Sequence, residues 1–199
     1  MLLRMKLNMP VNLNQKYKDP NIQNFDSNTQ RLFEYVSEFG CMLCSLGNVV
    51  SYLFKKKYGI IDLIKENCWA ISNDGTYGYV SKLPNPQDKL RWEWPSVANE
   101  AIAVQKIKEA IDAGSPVILH LEDTGTHWVT AYKYVNNAQS YDDIFVIDTF
   151  DMTYSNTSKW TEKEYVSEAA KRKLSDILTS EKTYEPYTKV TSLRIAYLK

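Results

Sequence analysis

The sequence has few of the residues that build disulfide frameworks and metal centres. It contains three cysteines and two histidines, which are Cys41, Cys44, Cys68, His120 and His127. An odd number of cysteines argues against a disulfide scaffold and leaves at least one free thiol. Two histidines are too few for a His-rich metal centre, and the single Cys-x-x-Cys lacks the second pair of a zinc site. We therefore expect no bound metal and no cofactor.

The sequence also lacks an excess of either charge and any long apolar run. Its 24 basic and 24 acidic residues give a formal net charge of zero at pH 7, so neither a nucleic-acid footprint nor a polybasic membrane patch is indicated. No run reaches transmembrane length, and charges interrupt the apolar residues near the start. We expect no nucleic-acid partner, no integral membrane segment and no signal peptide.

The organising feature is a stretch near residues 41–54 that is apolar on nearly every side of a helix. One stripe and its neighbouring face hold Met42, Leu43, Leu46, Val49, Val50, Leu53 and Phe54. Cys41 lies in the first turn, after Gly40, where unpaired N–H groups and the helix dipole favour an anion. This position suits a thiol nucleophile. The alternative is that Cys41, like Cys44, is a small apolar residue in a core helix.

The remaining pattern predicts helices first and then an antiparallel sheet, an α+β fold. A short capped helix precedes Gly40, and further helices are expected at 60–67, 99–113 and 161–179. Strands are expected at 117–121, 127–135, 144–148 and 190–197. We expect one domain over residues 1–199, with an N-terminal arm (1–24), an aromatic-rich insertion (68–98) and a C-terminal extension (150–199).

The insertion at 68–98 has no clear period and holds three of the five tryptophans. Long aromatic loops in compact domains are often functional. Trp92 and Trp94 share one side of an extended run, so they could form a wall with Trp69. These three residues and Trp128 are the candidate substrate-binding residues. The alternative is that these rings cover an edge of the core.

The spacing of His127 and Asp148 predicts a contact. If the two strands pair about a turn near 137–138, His127 lies directly opposite Asp148, with Cβ atoms about 5 Å apart. A carboxylate on one ring nitrogen leaves the other free to take a proton from a thiol such as Cys41. His127 could instead be a half-buried histidine that bonds a backbone group. His120 competes as the base, but the sequence places no carboxylate beside it.

Several segments resemble the C39-like branch of papain-fold cysteine peptidases. Residues 40–46 are similar to the nucleophile helix of that branch, and residues 114–119 with 125–132 resemble its base strand. Residues 145–149 resemble the segment that supplies the third catalytic residue, and residues 13–20 resemble the glutamine-bearing segment. The resemblance covers residues 13–150.

The resemblance implies a papain-like fold in which the nucleophile helix packs on the sheet. It also implies Cys41 as nucleophile, His127 as general base and acid, Asp148 as orienter and Gln15 as the side-chain donor of an oxyanion hole. Two positions depart from the family pattern. Thr149 stands where a proline often follows the aspartate, and 25 residues separate Gln15 from Cys41, so Gln23 or Gln30 could serve instead.

The resemblance further implies a cysteine hydrolase that cleaves an amide bond through a thioester. The motif variant suggests a peptidoglycan endopeptidase or amidase of phage or prophage origin. Such an enzyme would be made in the bacterial cytoplasm and would reach the wall at lysis, by virion delivery or within a larger phage assembly. Alternatives are a peptidase for a protein or leader peptide, a transglutaminase or deamidase with the same triad, and a non-catalytic module that binds peptide or glycan.

Overall fold

The computed structural model describes residues 4–123, 125–149, 164–166, 170–178 and 187–199. These residues form five helices and antiparallel strands, which confirms the predicted α+β class. The helices are α1 (Ser27–Phe39), α2 (Cys41–Phe54), α3 (Ile60–Lys65), α4 (Glu100–Asp112) and α5 (Leu174–Leu178). The strands are β1 (Met5–Lys6), β2 (Trp69–Ile71), β3 (Gly78–Val80), β4 (Leu90–Glu93), β5 (Val117–Asp123), β6 (Thr126–Tyr134), β7 (Ile144–Asp148), β8 (Lys171–Lys173) and β9 (Tyr187–Leu198).

The main sheet has helices on both faces. Its strands run in the order β4-β9-β5-β6-β7-β8, β1 pairs with β6, and β2 and β3 form a separate ribbon. Neighbouring residues of β5 face opposite cores: Ile118 packs with α1, α2 and α3, whereas Val117 and Leu119 pack with α4 and α5. The sheet is therefore the middle of three layers, which explains the nearly continuous apolar run of β5.

Helix α2 is buried as its all-round apolar character predicted. The side chains of Leu43, Leu46, Val49 and Val50 are fully buried. In the described part of the chain, no single helix is long and apolar enough to cross a membrane. Helices α1 and α2 pass that test only as a pair, and the pair is bent by 99°.

Gly40 makes this bend possible because the backbone of α1 approaches it closely. Gly40 is both the C-cap residue of α1 and the N-cap residue of α2. A Cβ at this position would lie 2.4 Å from the carbonyl oxygen of Val36. Glycine therefore lets α2 begin immediately at Cys41, without a connecting loop.

The sequence prediction was wrong for the helix at 161–179 as far as the structure describes it. Residues 171–173 form β8 on the outer edge of β7, and the helix covers only Leu174–Leu178; residues 161–163 and 167–169 lie outside the described residues. The open edge of β7 accounts for the difference, because its unpaired backbone groups gain hydrogen bonds from β8. The segment 68–98 likewise contains β2, β3 and β4 instead of a continuous loop.

The N-terminal arm is held by buried hydrogen bonds. The backbone N–H of Leu13 donates to Asn48 Oδ1 of α2 at 2.8 Å. The N–H of Gln15 donates to the carbonyl of Thr149 at 2.9 Å, and the N–H of Asn14 donates to the carbonyl of Glu164 at 2.8 Å. The arm therefore joins α2 to the end of β7 and to the C-terminal segment.

We predict that Asn48→Ala lowers the free energy of unfolding by about 1–3 kcal/mol, because the buried N–H of Leu13 loses its acceptor. Asn28→Ala, at an exposed position of α1, is the matched control and should change stability by no more than about 0.5 kcal/mol. Urea denaturation of the three proteins measures both values. Equal stability of the two variants would show that the arm is not held by this bond.

Candidate active site

Cys41 is the first residue of α2 and lies against the start of β6. Its side chain is 8% exposed. One turn further along α2, the hydroxyl of Ser45 donates to the carbonyl of Trp128 at 3.2 Å, which fixes the beginning of the helix over the strand. The Cys41 side chain lies close enough to the ring of His127 to raise the pKa of that imidazole. The thiol and the imidazole predicted to act together are therefore neighbours.

His127 also contacts Asp148. Its Nε2 lies 2.8 Å from Asp148 Oδ1, and both side chains are buried. Because Nε2 is occupied by the carboxylate, Nδ1 is the ring nitrogen left for the thiol. The predicted contact between His127 and Asp148 is present. The imidazole therefore lies between the thiol and the carboxylate.

The register that brings His127 to Asp148 differs from the predicted one. Val129, not His127, lies directly opposite Asp148, and a bulge interrupts the pairing between Ala131 and Lys133. His127 is therefore a diagonal neighbour, two residues along the same face from Val129, which is still within reach of a long side chain. The prediction of direct opposition was wrong because the connection is longer than a two-residue turn, with a 3-10 helix at Tyr141–Asp143.

Two further residues complete the surroundings of the pair, and sequence reasoning missed both. Arg172 Nη2 donates to Asp148 Oδ2 at 2.5 Å, so each carboxylate oxygen has a partner. The ring of Tyr187 stacks on the imidazole of His127, with centroids 5.5 Å apart. Arg172 was missed because its segment was assigned to a helix, and no sequence signal separates it from Lys171 and Lys173.

The buried pair is charged. Burial by itself lowers the pKa of His127, but the charge of the Asp148 carboxylate, helped by hydrogen bonds that the ring donates to Asp148 and Cys41, raises it to about 10. Burial by itself raises the pKa of Asp148, but the charges of His127 and Arg172 bring it below its usual range. At neutral pH the site therefore holds an imidazolium beside Cys41.

The other two cysteines have different surroundings. Cys41, Cys44 and Cys68 are all free thiols. Burial raises the pKa of Cys44 well above its ordinary value and raises the pKa of Cys68 to about 11. These two thiols stay protonated at neutral pH, whereas Cys41 adjoins a charged imidazole.

Gln15 lies between the segments that carry Cys41 and Asp148. Its side chain is buried, and Nε2 donates to the carbonyl of Ser37 at 3.1 Å, one turn before Cys41. Its Oε1 has no hydrogen-bond partner among the described residues. Of the two alternative glutamines, Gln30 bonds the carbonyl of Phe25 at 2.7 Å and Gln23 is exposed. Gln15 is thus the glutamine that the fold brings to this region.

Trp69, Trp92 and Trp94 do not form one wall, because Trp69 is buried. Trp69 is only 2% exposed, and its indole N–H donates to the carbonyl of Leu32 at 3.1 Å, so it belongs to the core. Trp92 is half-buried against the α2 core, and its indole nitrogen has no partner among the described residues. Trp94 is 71% exposed, and both Trp94 and Trp128 contact the guanidinium of Arg194.

His120, the competing base, has a carboxylate partner that the sequence analysis did not place. Its Nδ1 lies 3.0 Å from Glu122 Oε1 and 3.1 Å from Thr191 Oγ1. The available signal was the spacing of two residues on one strand, which puts both side chains on the same face. Burial lowers the pKa of His120, as does the charge of Arg194, while Glu122 opposes the shift. Cys41 does not contribute to the pKa of His120. The thiol is therefore served by His127.

We predict that the stability advantage of the wild type over His127→Gln falls as pH rises from about 6.5 towards 10. The folded protein keeps the His127 proton while the unfolded chain loses it, so the contribution is complete below 6.5 and lost through the raised pKa. The slope is at most about 1.4 kcal/mol per pH unit. Urea denaturation from pH 6 to 10 measures it.

His120→Gln is the control for this titration, because the pKa of His120 is lowered. The difference between wild type and His120→Gln should be flat from pH 7 to 10. A flat difference between wild type and His127→Gln over the same range would mean that the pKa of His127 is not raised in the folded protein.

Comparisons with known proteins do not assign this chain to a family. No protein-family model matches the chain, and no curated protein matches its sequence significantly. Among the described residues, no three His, Cys, Asp or Glu side chains gather as a set of metal ligands. A functional assignment therefore depends on the buried arrangement of Cys41, His127 and Asp148.

Proposed function

We propose that this chain is a cysteine hydrolase that cleaves an amide bond through a thioester intermediate. The observation that carries the proposal is the buried arrangement in which Cys41 adjoins His127 and His127 bonds Asp148. A thiol nucleophile needs a base within hydrogen-bonding reach and a third group that orients the base. These three residues meet both requirements.

A papain-like fold is part of the proposal. The helix that begins with the thiol lies on an antiparallel sheet, and the base is near the start of a central strand. The carboxylate is at the end of the neighbouring strand. This layout agrees with the sequence resemblance over residues 13–150, where nucleophile, base and orienter occur in the same order.

In the first half of the reaction, the proton of the Cys41 thiol is transferred to Nδ1 of His127, and the resulting thiolate attacks the carbonyl carbon of the amide. An S–C bond forms, and the carbonyl electron pair moves to oxygen, which becomes an oxyanion. The open N–H groups at the start of α2 and the Nε2 of Gln15 are the donors that would stabilise this oxygen. The oxyanion then collapses, the C–N bond breaks, and His127 gives a proton from Nδ1 to the leaving amine.

In the second half, water removes the acyl group. The neutral His127 takes a proton from a water molecule as the water oxygen attacks the thioester carbon, and the C–S bond breaks to restore the thiolate. Asp148 stays on Nε2 throughout and stabilises the imidazolium each time it forms. Arg172 keeps Asp148 negatively charged.

The substrate we propose is a peptide link in peptidoglycan, cleaved by an endopeptidase or amidase of phage or prophage origin. The support is the resemblance of residues 40–43 and of residues 15–20 to enzymes of that kind. The enzyme would act at the wall after lysis or virion delivery. A protein or leader-peptide substrate, acyl transfer to an amine, deamidation and mere binding are the alternatives that the following tests separate.

We predict that the wild type releases amino groups from purified Gram-positive cell walls and that Cys41→Ala abolishes the release, because no other thiol adjoins His127. Cys44→Ala, on the same helix, is the matched control and should retain release within a few-fold. Turbidity and newly freed amino groups are the readouts, and the freed termini identify the bond.

Alkylation provides a second test. Cys41 should react with iodoacetamide at pH 6 faster than Cys44 or Cys68, whose thiols are protonated. No release from any wall, with fast alkylation of Cys41, would redirect the proposal to protein substrates, transfer or deamidation. Slow alkylation of Cys41 together with no release would leave only a binding module.

We predict that Gln15→Ala lowers kcat for wall hydrolysis by about 10²–10³-fold with little change in KM, because the amide acts on the oxyanion and not on the bound substrate. Gln23→Ala and Gln30→Ala are the controls and should keep the wild-type kcat. A large loss in either control, with Gln15→Ala unaffected, would move the oxyanion role to that glutamine.

A further inference from the structure

Arg194 of β9 forms part of a stack of planar side chains beside the candidate active site. Its guanidinium carbon lies 5.0 Å from the ring centre of Trp94 and 5.3 Å from that of Trp128. The ring of Trp128 in turn stacks on His120, with centroids 4.1 Å apart and planes 18° apart. We call Trp94, Arg194, Trp128 and His120 the Arg194 stack.

The charge of Arg194 is not neutralised by any carboxylate in the described part of the chain. Its Nη1 donates to the carbonyl of Leu193 at 3.0 Å and to the hydroxyl of Ser192 at 3.3 Å, which are both neutral acceptors. Glu122, a carboxylate of the neighbouring strand, is bonded to His120.

Two other arginines pair with carboxylates. Arg91 pairs with Glu93 at 2.9 Å, and Arg172 pairs with Asp148. Arg194 is half-buried, and burial lowers its pKa with no acid to oppose the shift. A half-buried cation with only neutral partners favours an added anion, and the planar fork of a guanidinium fits a carboxylate with two hydrogen bonds.

The stack adjoins the proposed nucleophile. Trp128 follows His127, its carbonyl accepts from Ser45 of α2, and its ring packs in the same cluster as Met42. Across the sheet, Trp128 lies opposite His120, and β5 separates β6 from the β9 strand of Arg194. The two strand spacings from β6, which carries Trp128, to β9, which carries Arg194, correspond to about 10 Å. An extended peptide spans this distance in about three residues.

We propose that the Arg194 stack is a substrate subsite that binds a carboxylate of the peptide that Cys41 attacks. The guanidinium of Arg194 binds the carboxylate, and the neighbouring aliphatic part of the peptide lies on the exposed ring of Trp94. The inference rests on the proposed function and gives its substrate class, an acidic peptide with a carboxylate within a few residues of the scissile amide.

Electrophiles of graded length test the subsite without a known substrate. The reagents are bromoacetyl amides of ω-amino acids with one to five methylenes before the carboxylate, each compared with its carboxamide. In every case the Cys41 sulfur forms a bond to the bromoacetyl carbon that carries the bromine, and bromide leaves. Rates at Cys41 are divided by the rates with glutathione, which removes intrinsic reactivity.

The carboxylate reagent should alkylate Cys41 about tenfold faster than its carboxamide at the spacer that reaches Arg194, because a charged hydrogen bond forms only there. Arg194→Gln should bring the ratio to about one, and Arg194→Lys should retain part of it. Arg91→Gln, which removes the same charge on the adjacent strand β4, should keep the wild-type ratio.

A ratio near one at every spacer, while Cys41 of the wild type is still modified, would overturn the subsite and leave the cysteine hydrolase intact. An unchanged ratio in Arg194→Gln would also overturn it. The wild-type series decides the question even if Arg194→Gln does not fold. If Cys41 reacts no faster than Cys44 and Cys68, the proposed function fails and the subsite fails with it.

Discussion

The burial of α2 is the constraint on which the rest of the structure depends. A helix that is apolar on nearly every side cannot remain at a surface, so the sheet covers one side while α1, α3 and the N-terminal arm cover the others. Gly40, the Ser45 bond to Trp128 and the Asn48 bond to Leu13 fix where the helix begins. Cys41 is consequently positioned by core packing and not by a mobile loop, as a site with fixed geometry requires.

The charges follow from that position. A buried ion pair loses its hydration, which is costly unless hydrogen bonds replace it. Here both oxygens of Asp148 are bonded, His127 is bonded to Asp148 and adjoins Cys41, and Tyr187 covers the imidazole ring. The fold thus maintains an imidazolium next to Cys41. Apolar side chains of similar volume would fill the same space at a lower cost in free energy. Arg194 is the converse case, a half-buried cation whose described partners are all neutral.

Much of the framework was predictable because its signals are local. The side chains of Asp26 and Asn99 cap α1 and α4, Gly40 separates α1 from α2, and short apolar runs became strands β5, β6 and β7. The pairing of His127 with Asp148 was also predicted, although the register was wrong. It survived the error because two long side chains on one face of a sheet can reach each other from directly opposed or diagonal positions.

By itself, then, the sequence determined the α+β class, the buried helix and a thiol at the start of that helix, because periodicity and capping are properties of a few consecutive residues. Tertiary structure decided the bulge after Ala131, the strand that carries Arg172 and the burial of Trp69. It also brought Gln15 beside Ser37 and Thr149, and Arg194 beside Trp94 and Trp128. These features depend on which distant segments meet, and the free energy of such long-range pairing is not encoded in any single stretch of the chain.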